Sequence, residues 1–270
     1  METTQQLKKK LEQQPCLVAA AAYILMVTVN ILAETLPINR VTSGEVSARY
    51  QTLITPAPGT FVIWFAIYAL LLLYTLYQCG VFQWGEGRGP CATNLTKAIA
   101  PYYTLSSVCN ALWILSWHYE LILVCFVLIV ALVYCLVRIM IVLDRERLCM
   151  KEKLFAFIPF SVYAAWGIFA TFANAAALLV SLDWDGWGIP PEIWAIIVLF
   201  VCAALGIYLM FRWKSAVMGL VFVWAYAGIL VAHTSPEIWN GAYPLIIMVL
   251  IIYLIALLFS FAIRIYQKRP

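Results

Sequence analysis

The sequence predicts an all-α integral membrane protein with eight transmembrane helices, on three observations. Of its 270 residues, 65% are hydrophobic and only 11% charged, with mean hydropathy +0.92. A soluble domain typically carries about 25% charged and 45–50% apolar residues. The apolar residues fall into eight runs, each near the ~20 residues that cross a hydrocarbon core of about 30 Å. Lys and Arg cluster in alternate connections, which an even number of spans explains.

The first run, Cys16–Leu36, follows a tail (residues 1–15) that carries Lys8, Lys9 and Lys10; it is too long for a secretory signal and lacks a cleavage site. The second, Phe61–Cys79, is entered from the proline-rich turn TPAPGT. The third, Ile99–Trp117, is interrupted by polar residues such as Ser106 and Asn110. Leu121–Leu143 and Leu154–Leu182 flank the basic connection DRERLCMKEK. Glu192–Phe211 follows the acidic segment SLDWDGWGIPPE; Val217–Ala232 is the shortest run, and Pro244–Ile265 is the last.

Orientation follows from charge. Lys8–Lys10, the group Arg145, Arg147, Lys151 and Lys153, the pair Arg212 and Lys214, and the terminal Arg264, Lys268 and Arg269 share one side if eight spans exist. Both termini are therefore expected in the cytoplasm. The sequon at Asn94–Thr96 then lies inside and is expected to be unused.

Several functions are disfavoured. The eight cysteines form no C-x-x-C pair, so neither a zinc knuckle nor a redox motif is supported. His118 and His233 have only Glu120 and Glu237 near them in sequence, too few ligands for a metal. No nucleophile signature supports an enzyme, and no basic surface suits nucleic acid. No span carries a charge at its centre and the halves show no repeat, which argues against an ion-coupled pump. Trp84, Trp184, Trp187, Trp194, Trp213 and Trp239 read as anchors at the membrane interfaces.

Four runs nevertheless carry unusual stripes at helical spacing. They are Tyr23, Val27, Asn30 and Glu34; Phe61, Trp64 and Tyr68; Ser106, Asn110, Trp113 and Trp117; and Tyr163, Trp166, Ala170 and Asn174, with Pro159 one turn earlier. Interface anchoring or helix packing explains each residue singly. Together they are the chemistry of a pocket for a flat, mostly apolar ligand, with rings for contact area and a few amides for orientation. A secondary transporter of another class and a structural scaffold are the alternative readings.

TPAPGTFVIWFAIYALL, NALWILSW and IPFSVYAAWGIFATFAN, taken in order, resemble the tryptophan-rich sensory protein or translocator protein (TspO) family. The resemblance runs from about Cys16 to Leu182 and is nearest a longer branch with added helices. It implies a TspO-like five-helix bundle (residues 16–182) followed by a three-helix extension (183–270). It also implies a ligand site for tetrapyrroles, sterols or related molecules built from Trp64, Tyr68, Asn110, Trp113, Tyr163, Trp166 and Asn174. Pro56 and Pro58 would serve as lid or hinge. No cofactor or metal is required, haem or porphyrin is a candidate ligand, the lipid bilayer is the surrounding partner, and a homodimer stays open. The sequence departs from compact members at Arg49-Tyr50, at Ser106 and in the Phe61–Trp64 spacing.

Overall fold

The computed structural model describes residues 2–36, 38–82 and 94–267, with side chains from residue 14 onward. Trp84, Lys268 and Arg269 lie outside the described residues. Among the described residues, eight helices are long and apolar enough to cross a membrane. They are α1 (Glu2–Thr35), α3 (Ile63–Gln78, entered through the 3-10 turn Pro58–Val62), α4 (Asn94–His118), α5 (Ile122–Arg145), α7 (Ile158–Ser181), α8 (Pro191–Arg212), α9 (Ala216–Thr234) and α10 (Pro244–Tyr266). The short α2 (Ser43–Arg49) and α6 (Met150–Glu152) complete the set. Among the described residues there is no strand.

Apart from α1, whose helix already begins at Glu2 rather than at Cys16, boundaries differ from the expected ones by a few residues. The largest of these shifts is in α4, which begins at Asn94 rather than near Ile99, because its first turn is polar and escapes a hydropathy reading. Pro159 leaves its mark just before α7. It lacks an N–H, so the Phe155 carbonyl loses its usual partner. The chain answers with a π turn over Lys153–Phe157, in which the Ile158 N–H reaches back to Lys153 O. The helix is thus continued through the proline, and its side chains are re-aimed.

Depth in the bundle follows polarity. The α7 span has mean hydropathy 1.6 and is 72% buried, whereas α10 has 3.1 and is 17% buried. Polar groups are costly against lipid, which favours burying a span as polar as α7 and leaving one as apolar as α10 to the acyl chains, while α3 and α5 depart from this order. From Pro159 to Ala170 every α7 residue is buried, because α3, α5, α8 and α9 all pack around it. The remaining helices complete two groups on either side: α1, α4 and α5 pack in sequence, and α8, α9 and α10 pack on one another.

The second group is held by close approaches. A Cβ at Gly206 of α8 would stand 2.7 Å from the Phe222 ring of α9, and one at Gly219 would stand 2.4 Å from the Met210 sulfur. Phe222 is fully buried, so its ring has no free direction in which to yield. Gly206→Ala should therefore lower stability by about 1–3 kcal/mol through overpacking. Helix propensity alone would favour alanine by roughly 1 kcal/mol. Unfolding in mixed micelles checks the sign, and a stabilised variant would contradict the packing.

Candidate functional site

The seven expected site residues meet in one place. Five are buried, and Trp64 and Tyr68 are partly buried. Helical spacing does the positioning: Trp64 and Tyr68 lie one turn apart on α3, Asn110 and Trp113 on α4, and Tyr163, Trp166 and Asn174 share a face of α7. α1 adds Asn30, whose side chain sits at the centre of the polar part.

The polar groups satisfy one another. Asn30 Nδ2 donates to Asn110 Oδ1 at 2.8 Å and to Met26 O at 2.9 Å. Asn110 Nδ2 donates to the Tyr163 hydroxyl at 3.0 Å, and the Tyr68 hydroxyl donates to Asn30 Oδ1 at 2.8 Å. One turn away, Trp113 Nε1 donates to Asn174 Oδ1 at 3.0 Å, while Asn174 Nδ2 returns to Ala170 O at 2.8 Å. Trp166 Nε1 is different: it is buried and has no hydrogen-bond partner.

Trp64 is the hub of the rings. It stacks on Tyr68 (5.7 Å, 22°) and lies tilted against Trp113 (5.9 Å, 34°). Tyr163 and Trp166 meet it edge-on, both at 6.2 Å and at 75° and 90°. One ring thus stacks on the flat indole, one is tilted against it and two stand nearly perpendicular to it. Phe61, one turn before, meets Trp166 at 6.2 Å and 84°. A separate cleft of about 500 Å³ lies between α5, α7 and α8, beside Val137, Ile168, Leu205 and Arg212, and none of the seven residues lines it.

The first loop spans the end of the bundle above these rings. On the α4 side, Asn39 donates to His118 O at 3.0 Å and Trp117 Nε1 to Ser43 O at 3.2 Å. Arg49 pairs with Glu120, and the Tyr50 hydroxyl donates to the same carboxylate at 3.1 Å. Burial, and then that carboxylate, push the Tyr50 phenol up. Within the loop, Thr42 and Glu45 form a reciprocal capping box on α2. On the far side the loop meets α9. Ala57 N donates to Gly228 O at 2.9 Å, Trp224 Nε1 to Thr60 O at 2.9 Å, and His233 Nε2 to Leu53 O at 2.8 Å. A carbonyl can only accept, so His233 carries its proton on Nε2.

Pro56 and Pro58, expected as lid or hinge, lie in this segment, and Pro58 opens the 3-10 turn that leads into Trp64. Asn30 was visible in a stripe but not ranked with the site. The α9 contacts carry no signal in the sequence, since Trp224 and Gly228 fall in none of the four stripes. Trp184, Trp187 and Trp194 form a cluster of their own at the α7–α8 connection, and Trp213 is buried. His118 is occupied locally, its Nδ1 lying 2.9 Å from Ile114 O. No cluster of metal-ligating side chains exists among the described residues.

Two expectations follow. Asn110→Leu removes the partner of both Asn30 Nδ2 and Tyr163 and should cost about 1–2 kcal/mol, between the usual membrane value and that of a stranded buried group. Asn30→Leu/Asn110→Leu should cost less than the two single changes together, and additive losses in an unfolding cycle would count against the network. The second concerns α2. Hydrogen bonds from Thr42 hold the Glu45 carboxyl below its ordinary value of 4.5. The stability it adds is full above that value and is lost as pH falls through the lower, folded one. Amide protection across α2 should therefore hold at neutral pH and fade in acid; protection that rises in acid would contradict the capping box.

Compared with known families, residues 16–263 match the family described as TSPO-like protein. The match continues through α8, α9 and most of α10. No curated protein and no solved structure matches the chain. With nearly the whole chain covered, this protein belongs to the TSPO-like protein family.

Proposed function

We propose that the protein binds a hydrophobic, planar ligand, a tetrapyrrole or a sterol-like ring system, in the slot that Trp64 fills, with a sensory or transport consequence. The carrying observation is the arrangement around Trp64: four rings about one flat indole, Tyr68 stacked on it, Trp113 tilted against it, and Tyr163 and Trp166 nearly perpendicular to it. Such a slot suits a flat ring by shape and by the quadrupoles of its walls. The buried, unpartnered Trp166 Nε1 would give a ligand acceptor one hydrogen bond, and so an orientation.

In this reading the ligand exchanges with a side chain. Four aromatic contacts at roughly 0.5–1.5 kcal/mol each set the cost of moving Trp64 at about 2–6 kcal/mol if they add. A ligand that stacks on Tyr68 and Trp113 restores contacts of the same kind over a larger area. Phe61 and Trp64 are the groups that move, since Phe61 is exposed and Trp64 only partly buried while Trp113, Tyr163 and Trp166 are buried. No chemical step is proposed.

The test is a saturation titration of haem and protoporphyrin into protein held in nanodiscs, with empty discs in parallel. One ligand per protomer is expected. Trp166→Ala should weaken binding. Trp64→Ala removes the internal competitor and should speed association. Uptake equal to that of empty discs would remove the tetrapyrrole class, and equal effects of the two variants would remove the exchange mechanism.

A further inference from the structure

The loop that leads into Trp64 is held from one side by a helix more than 160 positions later in the chain. Two of its bonds fall on a single 3-10 turn and its cap: Ala57 N–H to Gly228 O, and Trp224 Nε1–H to Thr60 O. Trp224 and Gly228 are four residues apart, so α9 presents a donor and an acceptor on one face. His233, five residues further along, holds Leu53 O. Gly228 has a steric reason as well. A Cβ there would stand 2.1 Å from Thr60 Oγ1, 2.6 Å from its methyl and 2.8 Å from its Cβ. Glycine inside a helix is otherwise unfavourable relative to alanine, and the close approach of the turn explains it.

The turn is continuous with the groups that cover the rings. Phe61 belongs to the turn, and Trp64 stands in the first turn of α3. A displacement of residues 57–62 therefore carries both with it.

We infer that α9 is a latch for the site: Trp224 and the Gly228 backbone hold the Pro58–Val62 turn shut, and their release frees Phe61 and Trp64. Trp224, Gly228 and His233 are positioning residues, since they act through the loop. Within the last three helices, α9 thereby gains a role in controlling access. This inference rests on reading the ring cluster as a ligand site, but the latch itself can be measured without any ligand.

The experiment is hydrogen–deuterium exchange of the full chain in nanodiscs, read on peptides covering residues 53–63. Trp224→Phe deletes one bond at a position 43% exposed, where the ring is kept and folding is not endangered. It should speed exchange of this segment about tenfold and leave α4 unchanged. Gly228→Ala should do the same by pushing on Thr60. Gly228→Ala/Thr60→Gly removes all three clashing atoms and should restore slow exchange. A purely local effect in α9 would instead slow exchange in the alanine variant and ignore the Thr60 change. Unchanged exchange in Trp224→Phe, or no rescue in the double variant, would overturn the latch. Protoporphyrin association measured on the same samples then reports on the site separately: faster association in the latch variants supports the coupling, and equal rates with faster exchange overturn it.

Discussion

Lipid offers no hydrogen bonds, so each polar side chain on a spanning helix must find its partner inside the bundle. This constraint orders the rest of the structure. Asn30 and Asn110 lie in different helices and are satisfied by each other, by two tyrosine hydroxyls and by the Met26 carbonyl. Bringing those four groups together turns the inner faces of α1, α3, α4 and α7 towards one point. The aromatic rings at one-turn spacing from the amides are carried along. Trp64 reaches the centre because α3 must present Tyr68 to Asn30.

The cluster is closed by its own residues, which gives it a conformational character. Its amides are engaged internally, so a ligand gains little from them without breaking bonds already made. What it can take over is aromatic contact. A ligand shifts the balance between closed and open forms only by its different affinity for the two. In the proposed reading the first loop would act as lid and plug together: α2 and its cap are pinned to the end of α4 by Arg49, Tyr50 and Glu120, and the 3-10 turn ahead of α3 is pinned to α9 by Trp224 and Gly228. Opening on one side alone leaves the other as a hinge.

Much of this was legible in the residues. Eight apolar runs gave eight spans because the length that crosses a bilayer is set by physics rather than by the particular fold. The stripes were legible because helical periodicity places i, i+3 and i+4 on one face, whatever the partner helix. The roles of Asn30 and α9 were not. Nothing local distinguishes Asn30 from any carboxamide that packs against a neighbour until Asn110 is seen opposite it. Gly228 matters through Thr60, a partner distant in the chain, and periodicity carries no information on such pairs. The π turn was half legible: Pro159 signals a disturbed ladder, but not whether the helix kinks, ends or widens.

The central claim is that ligand and Trp64 compete for one slot. It is tested most directly by fluorine NMR of protein labelled with 5-fluorotryptophan in nanodiscs, with the Trp64 resonance assigned from Trp64→Phe. The account predicts a single Trp64 resonance without ligand. On titration with protoporphyrin it should be replaced by a second, at a chemical shift closer to that of solvent- or lipid-exposed indoles, in proportion to occupancy. A Trp64 resonance that stays in place while ligand saturates the protein would contradict it.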